Sequence, residues 1–176
     1  MSNKVRLIQN PMTKPAARIF DPVLHPLPPV LTGGPGSPTV LINNLPAWRG
    51  IPPAAVAGIQ SAKQTSDRAI QVAEAATLAA AGTPGAPAAL TAEQTTKATS
   101  ATSMSATIAS AAGSADIHNC ATPLPLPPHG PGVVINGSTT VLINGLPACR
   151  MGDTIVEALG LPNQITGGCP SVLIGG

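Results

Sequence analysis

Three histidines, His25, His118 and His129, and three cysteines, Cys120, Cys149 and Cys169, are the side chains best suited to hold a transition metal. Neutral imidazole and thiolate are what zinc takes in tetrahedral sites, with iron a second possibility. Every histidine falls in a stretch that follows an aspartate and precedes a Val-Leu-Ile run. Asp21 precedes Ser37 by 16 positions and Asp153 precedes Cys169 by the same 16, whereas Asp116 precedes Ser138 by 22. Four residues after each aspartate stand His25, Cys120 and Glu157. The longer second stretch adds His118 before Cys120 and His129 at its end. His118 and Cys120 are two apart, so both face one side if the segment is extended. With the three stretches around one axis, His25, His118, Cys120 and His129 converge into a four-ligand cluster. Four protein ligands close the coordination shell, which makes the expected ion structural, and its binding energy becomes folding energy.

The remaining candidates read more blandly. Cys169 aligns with Ser37 and Ser138 at the start of a Val-Leu-Ile run and is the rival thiolate. Cys149 reads as a small buried residue. Glu157 reads as an exposed charge near the apex, with the orientation of an imidazole as its other reading. Arg18, Arg49 and Arg150, one per copy, read as making ion pairs with Asp21, Asp116 and Asp153 or contacts to backbone carbonyls that pin each layer to the next. Trp48, beside an insertion, reads as packing on that insertion or on the surface. An enzyme is the competing reading: three histidines with an open fourth position, and Glu157 as general base, would make a small zinc hydrolase. So thin a body offers no lined pocket for it.

The elements that must position these residues are written as repeats. Gly36-Ser-Pro-Thr-Val-Leu-Ile-Asn-Asn44, Gly137-Ser-Thr-Thr-Val-Leu-Ile-Asn-Gly145 and Gly168-Cys-Pro-Ser-Val-Leu-Ile-Gly-Gly176 are three copies of one phrase. A second phrase travels with it: Pro15-Ala-Ala-Arg18, Pro46-Ala-Trp-Arg49 and Pro147-Ala-Cys-Arg150. Repetition of this kind outranks other signals when fold is read from sequence. Asn-Asn and Asn-Gly after the apolar runs predict tight β-turns, since both residues tolerate positive φ. Val30-Leu31, Val133–Ile135 and Ile165-Thr166 are the expected partner strands of three hairpins. Three copies in one chain create approximate three-fold symmetry, suited to the end of a three-fold partner.

Residues 53–115 are in another style, rich in Ala, Thr and Ser, with Gly82-Thr-Pro-Gly-Ala-Pro87 in the middle. Alanine favours helix and the Gly/Pro cluster breaks it, which predicts helices over 54–81 and 88–113. Val56, Ile59, Ile70, Ala73, Thr77 and Ala80 form one stripe. Leu90, Gln94, Ala98, Ala101, Met104, Ile108 and Ala111 form the other. The expected organisation is a β unit in two pieces, 1–52 and 116–176, around an inserted helical hairpin at 53–115.

Composition excludes several classes. Charged residues make up 9% of the 176 and aromatics 1%, while 21 Pro and 18 Gly punctuate the chain. A net charge of +2 without a basic cluster argues against nucleic-acid binding by phosphate neutralisation. No stretch is apolar enough for a membrane helix, so an integral membrane protein is not expected. Met1-Ser-Asn-Lys-Val-Arg6 has no apolar run behind it, so no signal peptide is expected and synthesis is expected in the cytoplasm.

Pro15-Ala-Ala-Arg18, its near copy Pro147-Ala-Cys-Arg-Met-Gly-Asp153, and the Val-Leu-Ile-Asn-Gly and Cys-Pro-Ser-Val-Leu-Ile-Gly-Gly phrases resemble the PAAR-repeat proteins, over about 1–52 and 116–176. The resemblance implies a mainly β, cone-shaped, pseudo-three-fold hairpin body with a zinc ion near its point, held by three histidines and one cysteine. It also implies a monomer capping and sharpening the VgrG-type spike trimer of a bacterial type VI secretion system, or tipping a related contractile injection machine. Such a protein assembles in the bacterial cytoplasm and leaves with the apparatus. Family members carry effectors, fused or docked. The helical insertion lies outside the family pattern; its expected role is to dock an effector or adaptor.

Overall fold

The computed structural model describes residues 13–123 and 128–176. The leaderless reading of residues 1–6 falls outside them. The elements in order are β1 (Lys14–Ala16), β2 (Leu41–Ile42), β3 (Leu45–Pro46), α1 (Pro53–Ala80), α2 (Ala86–Ala112), β4 (Ile117–Pro123), β5 (Pro128–Val134), β6 (Leu142–Ile143), β7 (Leu146–Pro147), β8 (Thr154–Glu157), β9 (Asn163–Gln164) and β10 (Cys169–Ile174). With helices of 28 and 27 residues against short strands, the chain as a whole is mixed, not mainly β.

Asn43, Asn44, Asn144 and Gly145 all have positive φ, as the turn residues demand. The turns join partners other than the expected ones, however. They connect β2 to β3 and β6 to β7, so each Val-Leu-Ile run pairs with its own following Leu-Pro. Val133 and Val134 instead lie in a four-stranded antiparallel sheet, ordered β4-β5-β8-β9. The third Val-Leu-Ile run, in β10, pairs with β1 from the other end of the chain. One unit is thus assembled from opposite ends of the sequence.

The three Pro-Ala-X-Arg segments meet at an axis. Ala17 N–H donates to the Cys149 carbonyl (2.9 Å), Cys149 N–H to Trp48 (3.0 Å) and Trp48 N–H to Ala17 (2.9 Å), a closed ring of three bonds. A second ring follows, from Ile19 N–H to Pro46 O (3.0 Å), Gly50 to Pro147 (2.9 Å) and Met151 to Pro15 (2.9 Å). Around the first ring, Ala17, Trp48 and Cys149 pack with Leu31, Val134, Ile165, Val23 and Ile155. Trp48 therefore fills the axis, not the insertion or the surface; two small residues opposite it leave the room. Its indole N–H has no partner among the described residues. Cys149 is fully buried there, as expected.

At one end of the axis lie the Val-Leu-Ile runs. In each, the isoleucine is buried in a shared cluster with Ala16, Ala47 and Ala148. The leucine before it faces out: Leu41, Leu142 and Leu173 are 61%, 59% and 56% exposed. From there each chain passes through Pro-Ala-X-Arg to its aspartate and on toward the opposite end.

The arginines and aspartates form equivalent clamps. Each aspartate accepts the arginine's backbone N–H and two side-chain N–H groups: Arg18–Asp21, Arg49–Asp116 and Arg150–Asp153. Two clamps span three residues; the Arg49 clamp spans 67. The helical pair is thus an expansion of one two-residue turn, and its two ends are stapled by an ion pair.

Pro53 begins α1 where a missing N–H costs nothing, and Gly113, with φ +56°, follows α2. The root of the pair packs on the sheet: Ile59, Met104, Ile108 and Ala112 bury against Val133, Val156, Ala158 and Leu146. Beyond the root the helices contact mainly each other. Lys97 pairs with both Glu74 and Glu93, and Thr77 Oγ1 donates to the Ala89 carbonyl. The seam on α2 runs through Ala86, Ala89, Glu93, Lys97 and Ser100, leaving Leu90, Gln94 and Ala98 exposed. The predicted second stripe is off by one position in that half, because small and polar residues, not the leucine, set the approach of the helices. Among the described residues no helix is long and apolar enough to cross a membrane.

Candidate metal centre

The symmetric positions four residues after the aspartates converge at the end away from the exposed leucines. β4 contributes Cys120, β5 contributes His129, β8 contributes Glu157, and the loop after Asp21 contributes His25. One donor atom from each of His25, Cys120, His129 and Glu157 lies within 4.8 Å of all the others. His25 Nδ1 is 3.3 Å from Cys120 Sγ and 3.1 Å from Glu157 Oε2. His129 Nδ1 is 2.8 Å from the same Oε2. The two imidazoles meet edge to face, with centroids 4.6 Å apart. Asn163 Nδ2 donates to Glu157 Oε1 at 3.0 Å and fixes the carboxylate.

Glu157 is fully buried, which corrects its reading as an exposed charge. Its register with His25 and Cys120 was the signal for a place in the cluster. His118 sits one layer deeper, two residues after its aspartate, level with Val23 and Ile155 in their own copies. Its Nε2 is 3.9 Å from Glu157 Oε1 and has no hydrogen-bond partner among the described residues. The Thr32 amide donates to its Nδ1 at 3.3 Å. Cys169 is buried at the start of β10, where its Sγ lies 3.2 Å from Ser171 Oγ. There it stands in for Ser37 and Ser138, whose hydroxyls accept the amides of Val40 and Val141 at 2.9 Å.

Burial dominates the electrostatics. It pushes the Cys120 thiol and the Glu157 carboxyl up, and it lowers His129, on which the nearby Lys63 charge acts in the same direction. His118 falls to about 4, chiefly by desolvation, with the neighbouring His25 acting in the same direction. A divalent cation resolves this frustration. Ionised Cys120 and Glu157 would balance its charge, and two neutral imidazoles complete a nitrogen, sulfur and oxygen set that zinc accepts. The residues therefore fit a structural metal ion, and the buried, unpartnered His118 nitrogen beside them is consistent with that.

A three-fold set of β elements closing on a His/Cys/Glu group defines a repeat protein one end of which can be held by metal. Comparison with protein families matches residues 126–176 to the PAAR motif. This chain carries the PAAR motif. Comparisons with curated proteins and with solved structures found no match.

Proposed function

We propose that the protein is a non-enzymatic, metal-stabilised cone that caps a VgrG-type trimeric spike of a type VI secretion system. The PAAR match supports the spike-tip role. The observation that carries the three-fold docking is the set of equivalent leucines, Leu41, Leu142 and Leu173, each more than half exposed at the end opposite the donor cluster. One chain thereby offers three similar apolar contacts to a three-fold partner, which a surface for a single asymmetric ligand has no reason to do. Assembly in the cytoplasm and export with the contractile apparatus follow from that role. Residues 53–115 would meet an effector or adaptor. The tip of another contractile injection machine would use the same base and a different spike.

In this reading the metal is a structural zinc, with iron(II) the second choice, held by His25, Cys120 and His129. The convergence of donors favours Glu157 as the fourth ligand. The unpartnered Nε2 favours His118 instead, should the carboxylate swing aside. Metal content of untagged protein tests the centre: about one zinc per chain is expected. It should be lost in His25→Ala and Cys120→Ser, and Glu157→Gln and His118→Ala separate the two fourth ligands. Changing all three leucines to aspartate should abolish capture by the spike trimer while metal content stays the same. Retained binding by that variant would overturn the docking surface.

A further inference from the structure

We infer that Lys63, on the inserted helix α1, is a positioning residue for the metal centre, so that the helical arm and the centre form one coupled unit. The inference rests on the metal reading above. Lys63 is a buried lysine far from any repeat motif. Its Nζ donates to the Gly160 carbonyl at 2.8 Å and pairs with Asp67 one turn along. Gly160 belongs to the loop that follows Glu157, and it presses on His129. A Cβ built at Gly160 would lie 2.8 Å from His129 Cε1 and Nε2, and its φ of +77° is one that few other residues adopt. The Leu159 amide in the same loop donates to the His129 carbonyl at 2.9 Å.

The chain of contact is therefore short. An ammonium on the arm holds a carbonyl, the carbonyl's own glycine backs an imidazole, and the imidazole faces the donor group. Burying a lysine is costly unless it is paired and hydrogen-bonded, and this one meets both conditions only while arm and loop are docked. Groups that hold ligands in place commonly tune metal affinity by about 10- to 100-fold. Coupling is reciprocal, so metal binding must also steady the root of the arm.

The test compares Lys63→Met with Lys63→Arg, with Ile59→Val, which trims the same helix face and leaves the Lys63–Gly160 bond in place, and with Lys97→Met, which breaks the distal ion pairs. Zinc affinity is read by chelator competition, and ligand geometry by the visible spectrum of the cobalt(II) form. Lys63→Met should weaken zinc about tenfold or more and alter the cobalt spectrum. Arginine should restore both, and Ile59→Val and Lys97→Met should leave both as in the wild type. Zinc should also slow amide exchange over 59–67 in the wild type and not in Lys63→Met. Should Lys63→Met fail to fold, Lys63→Gln, a shorter donor, is expected to show the same loss. Unchanged affinity and spectrum in the Lys63 variants of a zinc-binding wild type would overturn the coupling alone. A wild type that binds neither ion would overturn the metal reading and this inference with it.

Discussion

Removing the guanidinium of Arg49 is the sharpest test of how the β body tolerates its insertion. The Asp116 carboxylate is fully buried and accepts the Arg49 backbone N–H (2.8 Å), Nε–H (3.0 Å) and an Nη2–H (2.9 Å). Nη2 also donates to the Gly36 carbonyl at 3.0 Å. Arg49→Met keeps the backbone bond and loses the other three. Hydrogen bonds to charged groups contribute about 1.5–3 kcal/mol each. Breaking one side of a buried pair costs about 3–5 kcal/mol, because the remaining charge is stranded. At about 2–4 °C per kcal/mol for a chain of this size, the midpoint should fall by roughly 10 °C. The assay is calorimetry and urea unfolding of Arg49→Met, Asp116→Leu and the double variant. The double variant should recover at least half of the summed loss, since no unpaired charge remains in it. A single-variant loss under about 1 kcal/mol would refute the idea that this clamp closes the inserted turn. So would a double variant as damaged as the two singles together.

Other outcomes follow from the same structure. Trp48→Ala should cost about 3–5 kcal/mol by emptying the axis, whereas Trp48→Phe loses no hydrogen bond and should cost much less in urea unfolding. Gly160→Ala forces a Cβ against the His129 ring at a left-handed φ; lower zinc affinity by chelator competition is the expected result. In metal-free protein, His118 titrates at about 4 when folded and near 6.5 when unfolded. Between those values the unfolded chain binds the extra proton, so stability is intact above pH 6.5 and drains away toward pH 4. The loss is roughly 3 kcal/mol, and urea midpoints against pH should show it, with a flatter profile in His118→Asn.

Much of this was legible in the residues themselves. Counting four from each aspartate reaches His25, Cys120 and Glu157, and the clamps and the positive-φ asparagines follow from the same repeats. What misled was chemistry without geometry. An acidic side chain near an apex reads as solvated, yet Asn163 and two imidazoles make a buried place for Glu157. Val133 and Val134 look like hairpin partners because they are apolar and adjacent, but an apolar run does not state which edge it meets, and β4 and β8 claim them. Lys63 was invisible because its partner is a backbone carbonyl 97 residues away. Nothing in a side-chain pattern marks such an acceptor. Leu90 misplaced the distal helix seam for the opposite reason: hydrophobicity outweighed the small residues that let helices approach closely.

The pairing of β1 with β10 has a consequence for the order of events during synthesis. Lys14 lies beside Ile174 and Pro15 beside Leu173, so the Pro15-Ala-Ala-Arg18 phrase leaves the ribosome long before its mate exists. Until β10 emerges, the Met151 amide can already find Pro15 and the ring through Ala17, Trp48 and Cys149 can form, but Ala16 and the buried isoleucines lack one wall of their cluster. Contacts of such sequence separation are slow to form, because the loop they close must be ordered first. The helical pair is local and can form early. A nascent chain would therefore carry a finished arm on an open body, and β10 would act as the latch.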